Sequence, residues 1–355
     1  MKNINRYLLA LPLFILLQSY SLLAQTTCEI VGQGSSAAGP YYDAVIAQYN
    51  PLFPLAPASY TITSSGAGAL ALLAQQVNFA GTDNVLTTAQ LATAPGPILS
   101  FPTAFVGVTL SYNLPGNPSL ILDASVLSGI YLGTITEWND PAIAALNPGV
   151  TLPAIPIIPV FRIDSSGTTQ SFTTFLADSN VGYPNNLVGT VVDFPAPAKV
   201  GATGSAGVAA TISSTSGSIG YLAFDFSTSA GLKTASIINS SGNAIAPSLT
   251  SIAAAGVGIN LPSDLRFDTI NSPNAEAYPI ATPTFIDVFQ NQPNNLIAKN
   301  IKQFLYFIAT QGQIIAPTVN LAPLTSAIIS QFIINLLSIN SVVTANATTC
   351  NPPCQ

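Results

Sequence analysis

One local pattern occurs three times in this chain: a Ser/Gly turn that leads straight into residues spaced along one face of a helix. Gly32-Gln-Gly-Ser-Ser36-Ala-Ala-Gly-Pro40 leads into Tyr42, Val45, Ile46 and Tyr49. Ser64-Ser-Gly-Ala-Gly68 leads into Leu70, Leu73, Ala74 and Val77, and Ser165-Ser-Gly-Thr-Thr169 into Phe172, Phe175 and Leu176. The i, i+3, i+4, i+7 spacing predicts amphipathic helices, with Pro40 in the first turn of the first one. Each start presents unpaired backbone N–H groups and the positive end of a helix dipole, so it can hold an oxyanion without a charged side chain. Ser and Thr at these places also serve as plain helix caps.

Strand signals alternate with the helices. Residues 59–63, 77–79, 105–112, 155–161, 219–224 and 284–288 are short, β-branched or aromatic, and bounded by turn residues. The alternation predicts an α/β fold with largely parallel sheets, in which ligands sit at the carboxyl ends of strands. Pro/Gly/Ser/Asn-rich stretches near 179–207 and 239–265 read as surface loops or short connections.

Charge is scarce and placed tellingly. Only 6% of residues are charged, and between Arg6 and Lys199 the one basic residue is Arg162, beside Asp164 and a Ser/Gly/Thr run. A lone guanidinium in that setting points to anion chemistry. The sequence contains no histidine, which excludes a Ser-His-Asp triad, a His base and His-ligated metal. No metal and no cofactor is expected.

Lys2 and Arg6 precede an apolar run, and the segment ends Leu22-Leu23-Ala24, the layout of a secretory signal cleaved after Ala24. The polar Gln18/Ser19 break argues against a permanent membrane anchor. Cleavage leaves six basic and 14 acidic residues, a net charge of about −8, unsuited to nucleic acid or anionic membrane surfaces. Cys28 can pair with Cys350 or Cys354, or the last two can pair with each other; both arrangements suit an oxidising compartment. The remaining length accommodates two lobes.

Longer motifs carry a resemblance. Residues 32–36, 64–68, 77–83 (Val-Asn-Phe-Ala-Gly-Thr-Asp), 131–149 (Tyr-Leu-Gly-Thr-Ile-Thr-Glu-Trp-Asn-Asp-Pro-Ala-Ile-Ala-Ala-Leu-Asn-Pro-Gly), 162–169 (Arg-Ile-Asp-Ser-Ser-Gly-Thr-Thr), 217–221 and 278–286 stand in a characteristic order. In that order and spacing, over roughly residues 30–330, the chain resembles the phosphate-binding proteins of phosphate ABC transporters. The resemblance implies a type II periplasmic-binding-protein fold: two α/β lobes, joined by crossing strands, with a ligand cleft between them. By it, residues 1–24 are the signal peptide, 25–109 plus 280–345 form lobe one, 110–279 lobe two, and 346–355 a Cys-containing tail.

The same resemblance implies a site. Ser36 would give hydroxyl and N–H, Ala37 its N–H, Ser65 hydroxyl and N–H, and Ser166, Gly167 and Thr168 further donors to inorganic phosphate. Arg162 would be the charged donor, with Asp164 orienting it rather than touching the ligand. Asp83 would accept the proton that phosphate carries near neutral pH and sulfate lacks, so sulfate would leave two acceptors facing each other.

The sequence departs from the family pattern where Ala37 replaces an aromatic residue, and where the second turn is Ser-Ser-Gly-Ala-Gly. Backbone groups carry the donors there, so binding is expected to survive with a wetter pocket. The scarcity of charge also argues against docking to an ABC permease by complementary charge. The reading is therefore a secreted, non-enzymatic phosphate binder in the periplasm or outside the cell. The alternatives are an extracellular structural or adhesive protein that kept the fold, and a weak secreted phosphatase relying on Asp83 and the hydroxyls.

Overall fold

The computed structural model describes residues 27–341. The signal peptide expected at 1–24 and the tail bearing Cys350 and Cys354 lie outside them; Cys28 is disulfide-bonded. The strands are β1 (Ile30–Gly34), β2 (Ala58–Ile62), β3 (Phe79–Thr82), β4 (Ile98–Tyr112), β5 (Ile121–Leu122), β6 (Ile158–Arg162), β7 (Val200–Ala202), β8 (Ser218–Ala223), β9 (Lys233–Thr234), β10 (Ser236–Ile238), β11 (Ala244–Ile245) and β12 (Ala281–Phe289). The helices that position the site are α1 (Gly39–Leu52), α2 (Ser65–Leu73), α3 (Thr88–Thr93), α4 (Ala124–Leu132), α5 (Pro141–Leu146), α6 (Gly167–Asp178), α7 (Gly204–Ser214) and α8 (Phe224–Ser229).

The main sheet runs β2-β1-β3-β12-β4-β8-β6-β7, with β9 on β4. One wing is parallel, with β1 between β2 and β3; so is the other, with β6 between β7 and β8. The centre is antiparallel: β12 pairs with both β3 and β4, and β4 with β8. The expectation of largely parallel sheets thus holds only in the wings. The chain leaves one wing along β4 and returns along β12, so these two must run in opposite senses. The first part of β4, to Gly107, lies against β12, and Val108–Tyr112 lies against β8.

Each wing has its own core. Tyr41, Tyr42, Val45 and Tyr49 of α1 pack with Phe79, Phe101 and Phe304 in the first. In the second, Trp138, Tyr131, Phe172, Phe194 and Tyr221 are buried together, Phe172 stacking on Tyr221 at 4.7 Å between centroids. Burying each such ring removes roughly 2–3 kcal/mol worth of apolar surface from water.

Several sequence expectations change. The Gly32-Gln-Gly34 turn is part of β1, and the strand expected at 77–79 begins at Phe79 and runs to Thr82. In α2, Leu70 faces solvent and the buried side consists of Ser65, Gly66, Gly68, Ala69, Ala71 and Leu72. The reason is contact: a Cβ on Gly68 would stand 2.6 Å from Gln33 O, so only a small-residue face can seat the helix on β1. The stretch 179–207 contains β7 and the start of α7, and 239–265 contains β11 and a helix at Leu249–Ala254. The α7 run Gly-Ser-Ala-Gly-Val-Ala-Ala-Thr-Ile-Ser-Ser buries only Ser205, Val208, Ala209 and Ile212, too weak an apolar stripe to announce itself.

Beneath the site, Asp287 of β12 is fully buried and accepts from Ser100 Oγ at 2.6 Å and Thr82 Oγ1 at 2.8 Å. Burial pushes its carboxyl up to about 6, against those hydrogen bonds and the charge of Arg266. The folded chain therefore holds this proton to higher pH than the unfolded chain, and the stability it confers is lost as pH rises from about 4 to about 6. Denaturant unfolding across that window should show the wild type losing stability relative to Asp287→Asn; parallel profiles would refute the assignment.

Candidate functional site

The starts of α1, α2, α6 and α7 meet around two buried side chains, Asp83 and Arg162. Asp83 follows β3 directly, and three hydroxyls from separate segments converge on it. Ser35 Oγ donates to Oδ1 at 2.5 Å, Thr284 Oγ1 to Oδ1 at 3.1 Å, and Ser65 Oγ to Oδ2 at 3.1 Å. Thr284 stands at a register shift between β12 and β4, the kind of irregularity that re-aims a side chain. Burial pushes the Asp83 carboxyl up, while the three hydroxyls and the charge of Arg162 pull it partly back. A carboxylate has about four acceptor directions, so these three bonds leave room for another donor.

Arg162 ends β6 and is 2% exposed. Its guanidinium grips Asp164 in a two-point pair, Nε donating to Oδ1 at 2.7 Å and Nη2 to Oδ2. Its backbone N–H donates to Tyr221 Oη at 3.1 Å, and that hydroxyl shares a hydrogen bond with Thr169 Oγ1 at 3.0 Å. Burial raises the Asp164 carboxyl, but Arg162 and the Gly204 N–H more than offset this and hold it below its ordinary value.

The remaining sequence-derived residues line the same place. Ser36 Oγ accepts from Ser205 N at 3.4 Å, which brings the α1 turn to the start of α7. Ala37 is buried, and its N–H, with that of Ala38, donates to Ser35 Oγ at 3.1 and 3.2 Å. Ser166 caps α6 by accepting from Thr169 N at 3.3 Å. Gly167 sits so close to α2 that an added Cβ would stand 2.7 Å from Ser65 Oγ and 2.8 Å from Asp83 Cβ. Gly66 N donates to Ser165 O at 3.0 Å, and Asn84 Nδ2 to Gly167 O at 2.8 Å, closing the two helix starts on each other.

Among the described residues, five buried side-chain oxygens have no hydrogen-bond partner: Thr168 Oγ1, Ser205 Oγ and Asp225 Oδ1, and also Tyr49 Oη and Ser111 Oγ. Unpartnered hydroxyls beside helix starts mark a place built to donate. With Arg162 matched by Asp164, Asp83 leaves the cluster with a surplus negative charge. The arrangement therefore suits an oxyanion that carries a proton for Asp83 and takes hydrogen bonds from the rest. Among the described residues, no group of acidic and cysteine side chains is arranged to hold a metal ion.

Sequence reasoning missed Ser35, Thr284, Tyr221, Gly204 and Ser205. Ser35, Thr284 and Tyr221 stood inside the quoted motifs and were recoverable as hydroxyl neighbours of the chosen positions. Gly204 and Ser205 lay in a stretch that read as loop, with no local signal.

The description "PBP superfamily domain" matches residues 22–311. The phosphate-binding protein PstS 3 of Mycobacterium leprae is 34% identical over 266 residues, 72% of each chain. The phosphate-binding protein PstS of Pasteurella multocida is 30% identical over 326 residues, 91% of this chain and 93% of that one. Among solved structures, a high affinity periplasmic phosphate-binding protein bound with phosphate superposes with a TM-score of 0.72 at 22% identity, covering 91% of this chain and 96% of that one. A phosphate-binding protein from Stenotrophomonas maltophilia gives 0.70 at 21%, covering 92% and 97%. These likenesses establish the two-lobed fold.

The α2–α6 contact generates a test. A Cβ on Gly66 would stand 2.0 Å from Ser165 Oγ and 2.4 Å from Ser165 Cβ, and a rotamer change moves only the first. Gly66→Ala should hold the two wings apart while leaving each core intact. Small-angle scattering would then report a larger radius of gyration with an unchanged thermal midpoint; an unchanged radius would show that the seam absorbs a methyl group.

Proposed function

The chain belongs to the PBP superfamily and, within it, to the phosphate-binding proteins, and from that premise we propose how it captures inorganic phosphate. The ligand lies between the wings, its oxygens taking hydrogen bonds from Ser36, Ala37, Ser65, Ser166, Gly167 and Thr168. Arg162 supplies the charged donor and Asp164 fixes the plane of its fork. Asp83 accepts the proton that the phosphate carries. The observation that carries this reading is the convergence of the α1, α2 and α6 starts on one buried Asp and one buried Arg, with the buried Thr168 Oγ1 unpartnered at the start of α6.

The Thr168 hydroxyl is unpartnered and ready for the anion, the Ala37 N–H and the Ser65 hydroxyl exchange Ser35 and Asp83 for it, and a site shielded from water strengthens each bond. Ser35 and Thr284 have a supporting part: they saturate one oxygen of Asp83, so that Oδ2 is the side left for the ligand. The names of the relatives support capture of phosphate over a purely structural or adhesive role. We draw lobe one at 25–109 plus 280–345 and lobe two at 110–279, with β4 and β12 as the crossing strands. The protein acts as a non-enzymatic, exported binder serving an ABC permease, and it docks by shape and uncharged contacts rather than by charge. Among the described residues no helix is long and apolar enough to cross a membrane.

Calorimetric titration with phosphate and then sulfate tests the site. Sulfate should bind about one to two orders of magnitude more weakly, and Asp83→Asn should narrow that gap. Arg162→Ala should weaken phosphate binding by about 10- to 100-fold. Absence of both binding heat and thermal shift with phosphate would overturn the assignment.

A further inference from the structure

A second buried carboxyl stands within reach of the charge of Asp83. Asp225, in the first turn of α8, is 4% exposed and its Oδ1 has no partner. An unpartnered buried carboxyl oxygen is destabilising unless something meets it.

The sheet places it. β6 and β8 are parallel neighbours, Val160 opposite Gly220, so their carboxyl ends lie side by side, with Arg162 at one and Ala223 at the other. Asp225 comes two residues after Ala223, as Asp164 comes two after Arg162. On the other flank Ala223 is opposite Val108 of β4, and Val106 is opposite Thr282, whose hydroxyl donates to Asp83 O at 3.0 Å. Asp225 thus follows the strand end that lies between the Arg162 end of β6 and the β4–β12 stretch tied to Asp83, close enough for the charge of Asp83 to act on it. Burial first, and then the charge of Asp83, push its carboxyl well up.

We propose that Asp225 is a second carboxyl of the phosphate site, holding a proton between its free oxygen and a phosphate oxygen and so selecting the ligand with one proton beyond the one that Asp83 reads. This rests on the phosphate assignment above. Whether the shared proton is drawn on the carboxyl or on the phosphate, the count in the bound state is the same. The titratable groups on the elements around α8 are Asp83 after β3, Tyr221 of β8, and Tyr112 of β4, whose hydroxyl donates to Pro118 O; α7 carries none. The charge of Arg162 is already matched by Asp164. Among the described residues no basic group acts on the Asp225 carboxyl, and its contact, once ionised, with a phosphate that keeps only the proton read by Asp83 would be strongly repulsive in a low-dielectric site.

Affinity should therefore fall as pH rises above neutral, approaching about tenfold per pH unit once the shared proton must be taken up. Calorimetric titration of the full chain with inorganic phosphate, at neutral and at mildly alkaline pH, reads this. Asp225→Asn keeps a donor but no titrating proton; its affinity should stay level and exceed that of the wild type at the alkaline end. A wild type that shows no phosphate binding at either pH sinks both readings. Phosphate binding with the same pH slope in wild type and Asp225→Asn sinks this proposal alone. If Asp225→Asn fails to fold, Asp225→Ser makes the same comparison, with the same two outcomes.

Discussion

Asp83 is buried where three parts of the chain meet, and its two oxygens are the common acceptor for hydroxyls from the β1–α1 turn, the first residue of α2 and the stretch of β12 opposite the bulge in β4. Removing that acceptor would leave three buried donors without their partner, so the carboxylate organises these segments as well as facing the cleft. Its own backbone carbonyl accepts from Thr282, which ties the β3 end to the returning strand a second time. The geometry of the proposed anion site is in this sense a by-product of how one carboxylate is satisfied.

The antiparallel pair β4 and β12 gives that organisation its frame. β4 changes partner at Gly107, so a single unbroken strand belongs to both wings and joins them. The bulge is on β4, where Thr103 is the extra residue opposite Thr284 and Phe285, and its Oγ1 donates to Thr284 O and meets the Tyr42 hydroxyl. Pro102, lacking an N–H, sits next to the irregularity. A local fault in the ladder and the aim of the Thr284 hydroxyl at Asp83 therefore have the same origin.

Much of this was legible in the sequence because the relevant groups are local: a Ser/Gly turn before a helical stripe names its own helix start, and Arg162-Ile-Asp164 names its own ion pair. The illegible parts depend on partners distant along the chain. Thr284 meets Asp83 across 201 residues, and no periodicity encodes that contact. The α7 start reaches Ser36 across 169 residues from a run of Gly, Ser and Ala with almost no apolar stripe. Leu70 misled for the opposite reason: an apolar residue at the right spacing faces solvent, because backbone approach at Gly68 decides which side of α2 is seated.

The Arg162–Asp164 pair has a consequence for the rate of capture. Because the single cation of the cleft is already neutralised by its neighbour, it projects little field beyond the pocket, and the chain as a whole is acidic. An incoming anion is steered away rather than drawn in, and it meets attraction only within hydrogen-bonding reach. Dissolved salt, which slows encounters between opposite charges, would here ease the approach. A binder of this design catches its ligand by fit after collision, and works as well in brine as in fresh water.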